Sequence, residues 1–109
     1  MFIETKTIVV TEGHSDIIVK HFTGEGHIEK FEGFIDLSVL VKRVRRGDEE
    51  IIIMIRWESE EAWKGWETSE IHLEGHRQSR GKPKEDYVVS SSHAVYDVKS
   101  SKGAYKPVL

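Results

Sequence analysis

The stretch "IIIMIRW", residues 51–57, limits the possible folds more than any other part of this 109-residue chain. Successive side chains of a strand point to opposite faces. Ile51, Ile53, Ile55 and Trp57 therefore face one side, and Ile52 and Met54 the other. A strand with one solvated face alternates apolar with polar residues, and this one does not. Its sheet needs cover on both faces. Two helical regions elsewhere in the chain suffice for one face. The economical cover for the other is a second copy of the same sheet. A homodimer with sheets packed face to face is the expectation, and a monomer with one locally apolar strand the alternative.

The other elements follow from periodicity and punctuation. "FIETKTIVV", residues 2–10, reads as a strand dominated by β-branched residues in its second half. A helix comes next, capped by Ser15 or Thr11, with Ile17, Ile18, His21 and Phe22 as its apolar face and Gly24 or Gly26 as its end. "FIDLSVLVKRV", 34–44, is a second strand with Ile35, Leu37, Val39 and Val41 on one face, and "RGDEE" turns it back into 51–57 as a hairpin. Ser59 caps a second helical region, with Glu60 and Glu61 in its positively polarised first turn. A last strand spans 87–98 after a polar loop around Gly81 and Pro83. This β-α-β-β-α-β order is the ferredoxin-like α+β plan, an antiparallel sheet with both helices on one face. Two such sheets face to face would make a dimeric α+β barrel. One domain is expected over 1–98, followed by a loosely held tail over 99–109.

Composition removes several function classes. Charged residues make up 32% and the net charge is -3, without the positive excess that nucleic acid would require. The basic clusters at 42–47 and 77–84 are each followed at once by acids. The absence of cysteine excludes disulfides and thiolate metal sites. "MFIETKTIVV" alternates and carries charge, so it is neither a signal peptide nor a membrane span, and a cytoplasmic location follows by default.

Residues 63–78, "WKGWETSEIHLEGHRQ", concentrate the chemistry. Trp63 and Trp66 share a helical face, whereas Trp66 and His76 would lie about 280° apart on one straight helix at ~100° per residue. "ETSE" offers a break, with Thr68 or Ser69 as a fresh cap, so that His72 and His76 can form a stripe opposite the tryptophans. Gly75 would let a bulky group approach closely. Zinc is disfavoured: Leu73 stands where a metalloprotease needs Glu directly after the first His, and no third ligand is signalled. Core packing with the histidines on the rim stays open, beside a pocket for a large flat cofactor.

The stretch "EGFIDLSVLVKRVRRGDEEIIIMIRWESEEAWKGWETSEIHLEGHR" resembles the IsdG-type haem-degrading monooxygenases of the antibiotic-biosynthesis-monooxygenase-like superfamily, in particular the HmoA-like branch. The likeness runs over about residues 1–98, and its Trp and His positions are the specific part. It implies a catalytic trio in which Trp66 distorts the porphyrin, His76 ligates the haem iron and a first-strand asparagine assists oxygen chemistry. Lys6 stands at that asparagine position. It is longer, donates only and is cationic, and could serve an anionic oxygen species or a haem propionate. Phe22 and His21 are implied in binding haem. Haem would be both substrate and cofactor, with dioxygen, an external electron donor and an unidentified reductase as co-reactants, in a homodimer without nucleic-acid or membrane partners. Two rival readings are a cofactor-free monooxygenase on a quinol-like aromatic, with His76 as general base, and a non-catalytic haem carrier. A dimeric ferredoxin-like domain with no small-molecule role is the remaining alternative.

Overall fold

The computed structural model describes residues 1–82 and 85–108. Its elements are β1 (Phe2–Val10), α1 (Ser15–His21), a 3-10 turn at Ile28–Lys30, β2 (Phe34–Val41), β3 (Glu49–Trp57), α2 (Glu60–Glu67), α3 (Glu70–Ser79) and β4 (Val88–Asp97). The four strands form one antiparallel sheet in the order β2-β3-β1-β4. This is the expected ferredoxin-like arrangement, with the apolar β3 in its interior. The 3-10 turn was not anticipated. Residues 83 and 84 of the polar loop expected around Gly81 and Pro83 lie outside the described residues, and 99–108 contain neither helix nor strand.

One face of the sheet carries the core. Ile51, Ile53 and Trp57 of β3 are buried, and pairing sets Ile51 beside Ile8 and Trp57 beside Phe2. α1 contributes Ile18 and the following Phe22 to this core. α2 docks through Trp63, whose ring lies 5.0 Å from that of Phe2. Burying aromatic rings of this size dominates the packing energy of so small a layer. The opposite face presents Ile52 and Met54, paired with Thr7 and Thr5 and only half-buried. Among the described residues no helix lies over that face.

Several local expectations need correction. β2 ends at Val41 rather than at 44, and its register slips between Phe34 and Asp36. That irregularity takes Ile35 out of the row formed by Leu37, Val39 and Val41, leaving it 36% exposed. Neither Ser15 nor Thr11 caps α1 through its side chain. His14 occupies the cap position, and the Thr11 hydroxyl pairs with its Nδ1 at 2.9 Å. Ile17 and His21 are exposed, so α1 buries a narrower face than its sequence suggests. It also stops at His21, before either glycine.

Candidate functional site

The junction of α2 and α3 builds the site. The Thr68 hydroxyl donates to the Lys64 carbonyl at 2.8 Å and stops α2. The Ser69 hydroxyl donates to the Trp66 carbonyl at 2.7 Å and accepts the His72 N–H at 3.2 Å. One side chain thus closes one helix and opens the next. The chain turns at "ETSE" as expected, but the histidines do not lie opposite the tryptophan wall. The His72 ring sits against Trp66, with centroids 4.7 Å apart, and Phe31 meets the Trp66 ring edge-on at 5.0 Å. His76 follows one turn later, its ring 4.5 Å from that of His72.

Beneath this junction lies a cavity of about 380 Å³ between helices and sheet. Ile53, Ile55, Leu37 and Phe22 supply its apolar surface, Trp66 and His72 one wall, and Glu4, Lys6 and His21 polar groups. Its size falls at the lower end of small-molecule pockets. A second pocket of about 300 Å³ adjoins it, lined by Trp66, His72, Gly75 and His76 among others. Four of the expected residues, Trp66, Lys6, Phe22 and His21, therefore share one cavity. His76 belongs to the adjoining pocket, and Trp66 and His72 border both. Gly75 has open space around its α-carbon, in keeping with close approach by a ligand.

Hydrogen bonding defines what these imidazoles can do. His72 Nε2 lies 2.6 Å from Glu67 Oε2 and 3.0 Å from His76 Nε2. An ionised carboxylate only accepts, so His72 Nε2 carries the proton and points it at Glu67. That one proton is spent on Glu67, and His76 Nε2 stands against the same nitrogen of His72. Burial pushes the His72 imidazole below its ordinary pKa, against the pull of the Glu67 carboxylate. Lys6 stands between Ile53 and His93 in the sheet and makes no ion pair among the described residues. Two further groups went unnoticed in the sequence. Glu4, 8% exposed, accepts from or shares a proton with His93 across 2.7 Å, and Glu67 holds His72. The available signal was Glu4 and Lys6 interrupting the apolar row Phe2, Ile8, Val10 of β1.

The sequence pattern of antibiotic biosynthesis monooxygenases matches residues 1–78. The chain belongs to the antibiotic biosynthesis monooxygenase family. Within this monooxygenase family it is 50% identical over 106 residues to the heme-degrading monooxygenase HmoA of Bacillus subtilis, covering 96% of this chain and 98% of that one. A crystal structure of an antibiotic biosynthesis monooxygenase from Bacillus cereus is 69% identical, with a TM-score of 0.86, covering 97% of this chain and 98% of that one. The heme-degrader MhuD of Mycobacterium tuberculosis, solved with two hemes in its active site, shares the fold at a TM-score of 0.64 and 20% identity, covering 94% of this chain and all of the other. The antibiotic biosynthesis monooxygenase fold is thus that of the β2-β3-β1-β4 sheet and its helical layer.

Proposed function

We infer that this protein is a haem-degrading monooxygenase, in which haem is both substrate and cofactor. The reading is carried by one observation. The rings of Trp66, His72 and His76 stand in succession along an apolar cavity and the pocket that adjoins it. The 50% identity to HmoA, heme-degrading by name, supports it. The donor set fits haem: a neutral imidazole suits an iron ligand, and aromatic and aliphatic walls suit a porphyrin face.

In this reading His76 would hold the iron, and Glu67 fixes the His72 ring that packs against both His76 and Trp66. Trp66 would bear on the porphyrin, and Phe31, edge-on to its ring at 5.0 Å, would hold the indole in place. Phe22, Ile53 and Ile55 exclude water from the reacting edge. Lys6 supplies a cation for a propionate or for negative charge developing at oxygen, and His21 stands at the rim. Bound haem, with dioxygen and electrons from an external reductase, supplies the oxidation that opens its own ring. The half-buried row Ile52 and Met54 meets the same row of a second copy, giving a homodimer. Sedimentation at micromolar concentration should give twice the chain mass.

The test is a haemin titration followed by ascorbate under air with catalase present. A Soret shift saturating at one haem per chain, then decaying as ferrozine-detectable iron appears, is expected. Binding without decay would mark a carrier, and no binding would refute the haem reading.

A further inference from the structure

The hairpin between β2 and β3 carries a run of charge that the site does not use. Lys42, Arg43, Arg45 and Arg46 place four of the chain's 16 lysines and arginines within five residues. All four are exposed, and among the described residues none makes an ion pair. Elsewhere the exposed cations Lys30, Lys64 and Arg77 each hold a carboxylate. The acids near the run do not neutralise it. Glu49 Oε1 accepts the Ser15 N–H at 3.0 Å, and Glu12 Oε1 accepts the Gly47 N–H. Asp48 and Glu50 pair with none of the four cations among the described residues.

Backbone bonds brace the tip. The Lys42 N–H donates to the Glu50 carbonyl at 2.9 Å, one step beyond β2, and Gly47 helps close the turn at φ +92°. The Gly47 N–H on Glu12 ties the tip to the loop leading from β1 into α1. A braced hairpin has little ordering left to lose when a partner binds. Val44, 43% exposed, stands in the middle of the run. A small apolar centre with a polar rim is the makeup of a protein interface, and the arginine fork matches carboxylates. One valine is too little apolar surface to hold the tip in a lipid acyl layer. The hairpin also leads into the site. Val41 at its root pairs with Ile51, and Ile53, about 7 Å along the same strand at ~3.4 Å per residue, lines the cavity.

Opening haem with dioxygen consumes electrons, and a chain without cysteine has no thiol couple of its own to supply them. We propose that the β2–β3 hairpin is the docking surface for an acidic electron-donor flavoprotein, whose surface carboxylates meet Lys42, Arg43, Arg45 and Arg46. Its purpose rests on the haem reading; its charge and bracing do not. Each encounter passes one electron: the donor's reduced flavin is oxidised and ferric haem becomes ferrous, with no bond formed or broken between the two proteins. Such encounters are small and brief, and opposite charge raises their rate more than their affinity.

Reduced flavodoxin, a small acidic flavoprotein, is the probe. It is mixed anaerobically with the haem-loaded chain in a stopped-flow instrument, and the Soret shift from ferric to ferrous haem is followed. A second-order rate that falls steeply as salt is raised is expected. Arg43→Glu combined with Arg45→Glu should lower the rate at low salt at least tenfold and flatten its salt dependence. Haemin titration and ascorbate-driven decay of that variant should match wild type, and Arg43→Lys with Arg45→Lys should keep most of the rate. Oxidised flavodoxin should also broaden the NMR lines of the haem-free chain at low salt, and not those of the glutamate variant. A rate indifferent to salt and to the variant would overturn the proposal, leaving the cations to guard β2, the outermost strand, from pairing. Binding to phosphatidylglycerol vesicles that the variant abolishes, with the flavodoxin rate unchanged, would overturn it too. Flavodoxin binding to a chain that gives no Soret shift would uphold the docking surface and refute the haem reading alone.

Discussion

Gly33→Ala is the substitution whose cost can be worked most directly from the structure. Gly33 has φ +83°, where a β-carbon is disfavoured by about 1–2 kcal/mol. An added β-carbon would also stand 2.3 Å from Cβ of Ala62 on α2. Non-bonded carbons prefer roughly 3.5–4.0 Å, and overpacking of this kind costs typically ~1–3 kcal/mol. The backbone cannot easily retreat, because the Gly33 carbonyl accepts the Glu58 N–H at 2.8 Å and ties the entry of β2 to the end of β3. The two contributions together are about 2–5 kcal/mol, and each kcal/mol lowers the midpoint by roughly 4–8 °C for a domain of this size. Ala62→Gly separates them. By itself it should cost about 0.5–1 kcal/mol in helix propensity. Combined with Gly33→Ala it should restore the ~1–3 kcal/mol of overlap while leaving the φ penalty. Urea unfolding at one fixed protomer concentration, read by circular dichroism, gives all four corners of the cycle. A double variant that is additive within about 0.5 kcal/mol would refute the contact with Ala62 as the cause.

Trp66→Ala should leave the haem Soret shift in place and slow its decay by at least tenfold, in the ascorbate assay; unchanged decay would remove Trp66 from the chemistry. His76→Ala should abolish the imidazole-ligand signature in the haem spectrum, whereas His72→Ala should retain it with weaker binding; the opposite pattern would make His72 the ligand. Ser69→Ala removes the acceptor for the His72 N–H and the donor to the Trp66 carbonyl, and should cost about 1 kcal/mol by urea midpoint. Arg56 donates to Asp36 at 2.8 Å and holds its carboxyl below the ordinary value. A depressed carboxyl contributes stability above its unfolded pKa, about 3.9, and loses it as pH falls through the folded value. Wild type and Asp36→Asn should thus differ modestly at pH 7 and converge below about pH 4 in unfolding midpoints, the pair being over a third exposed.

Local rules that depend on near neighbours were legible, and those that depend on distant partners were not. β3 announced a sheet apolar on both faces because alternation needs only its own residues. The turn at "ETSE" was readable for the same reason: Ser69 caps a helix whose N–H groups lie three residues on. The slip at Ile35 was not, because β2 taken alone alternates well and only its pairing with β3 shows the extra residue. The cap of α1 failed through competition, since Thr11 spends its hydroxyl on His14 rather than on a helical N–H.

The site divides along the same line. Trp66 and His76 were singled out by the family resemblance, yet the direct neighbour of Trp66 is His72, which borders both pockets. A straight-helix estimate could not decide this, because the new axis of α3 sets which histidine turns inward. Glu4 and His93 are 89 residues apart and meet only because β4 pairs with β1. What the chain did offer was a conflict between levels. Phe2, Glu4, Lys6, Ile8 and Val10 lie on one face of β1, and two charges interrupt a row that otherwise fills the core. Burying a carboxylate costs free energy unless it is paired, and Glu4 finds its partner in His93 of β4, which β1 taken alone does not reveal. The residues that break the pattern of β1 are also those that border the cavity.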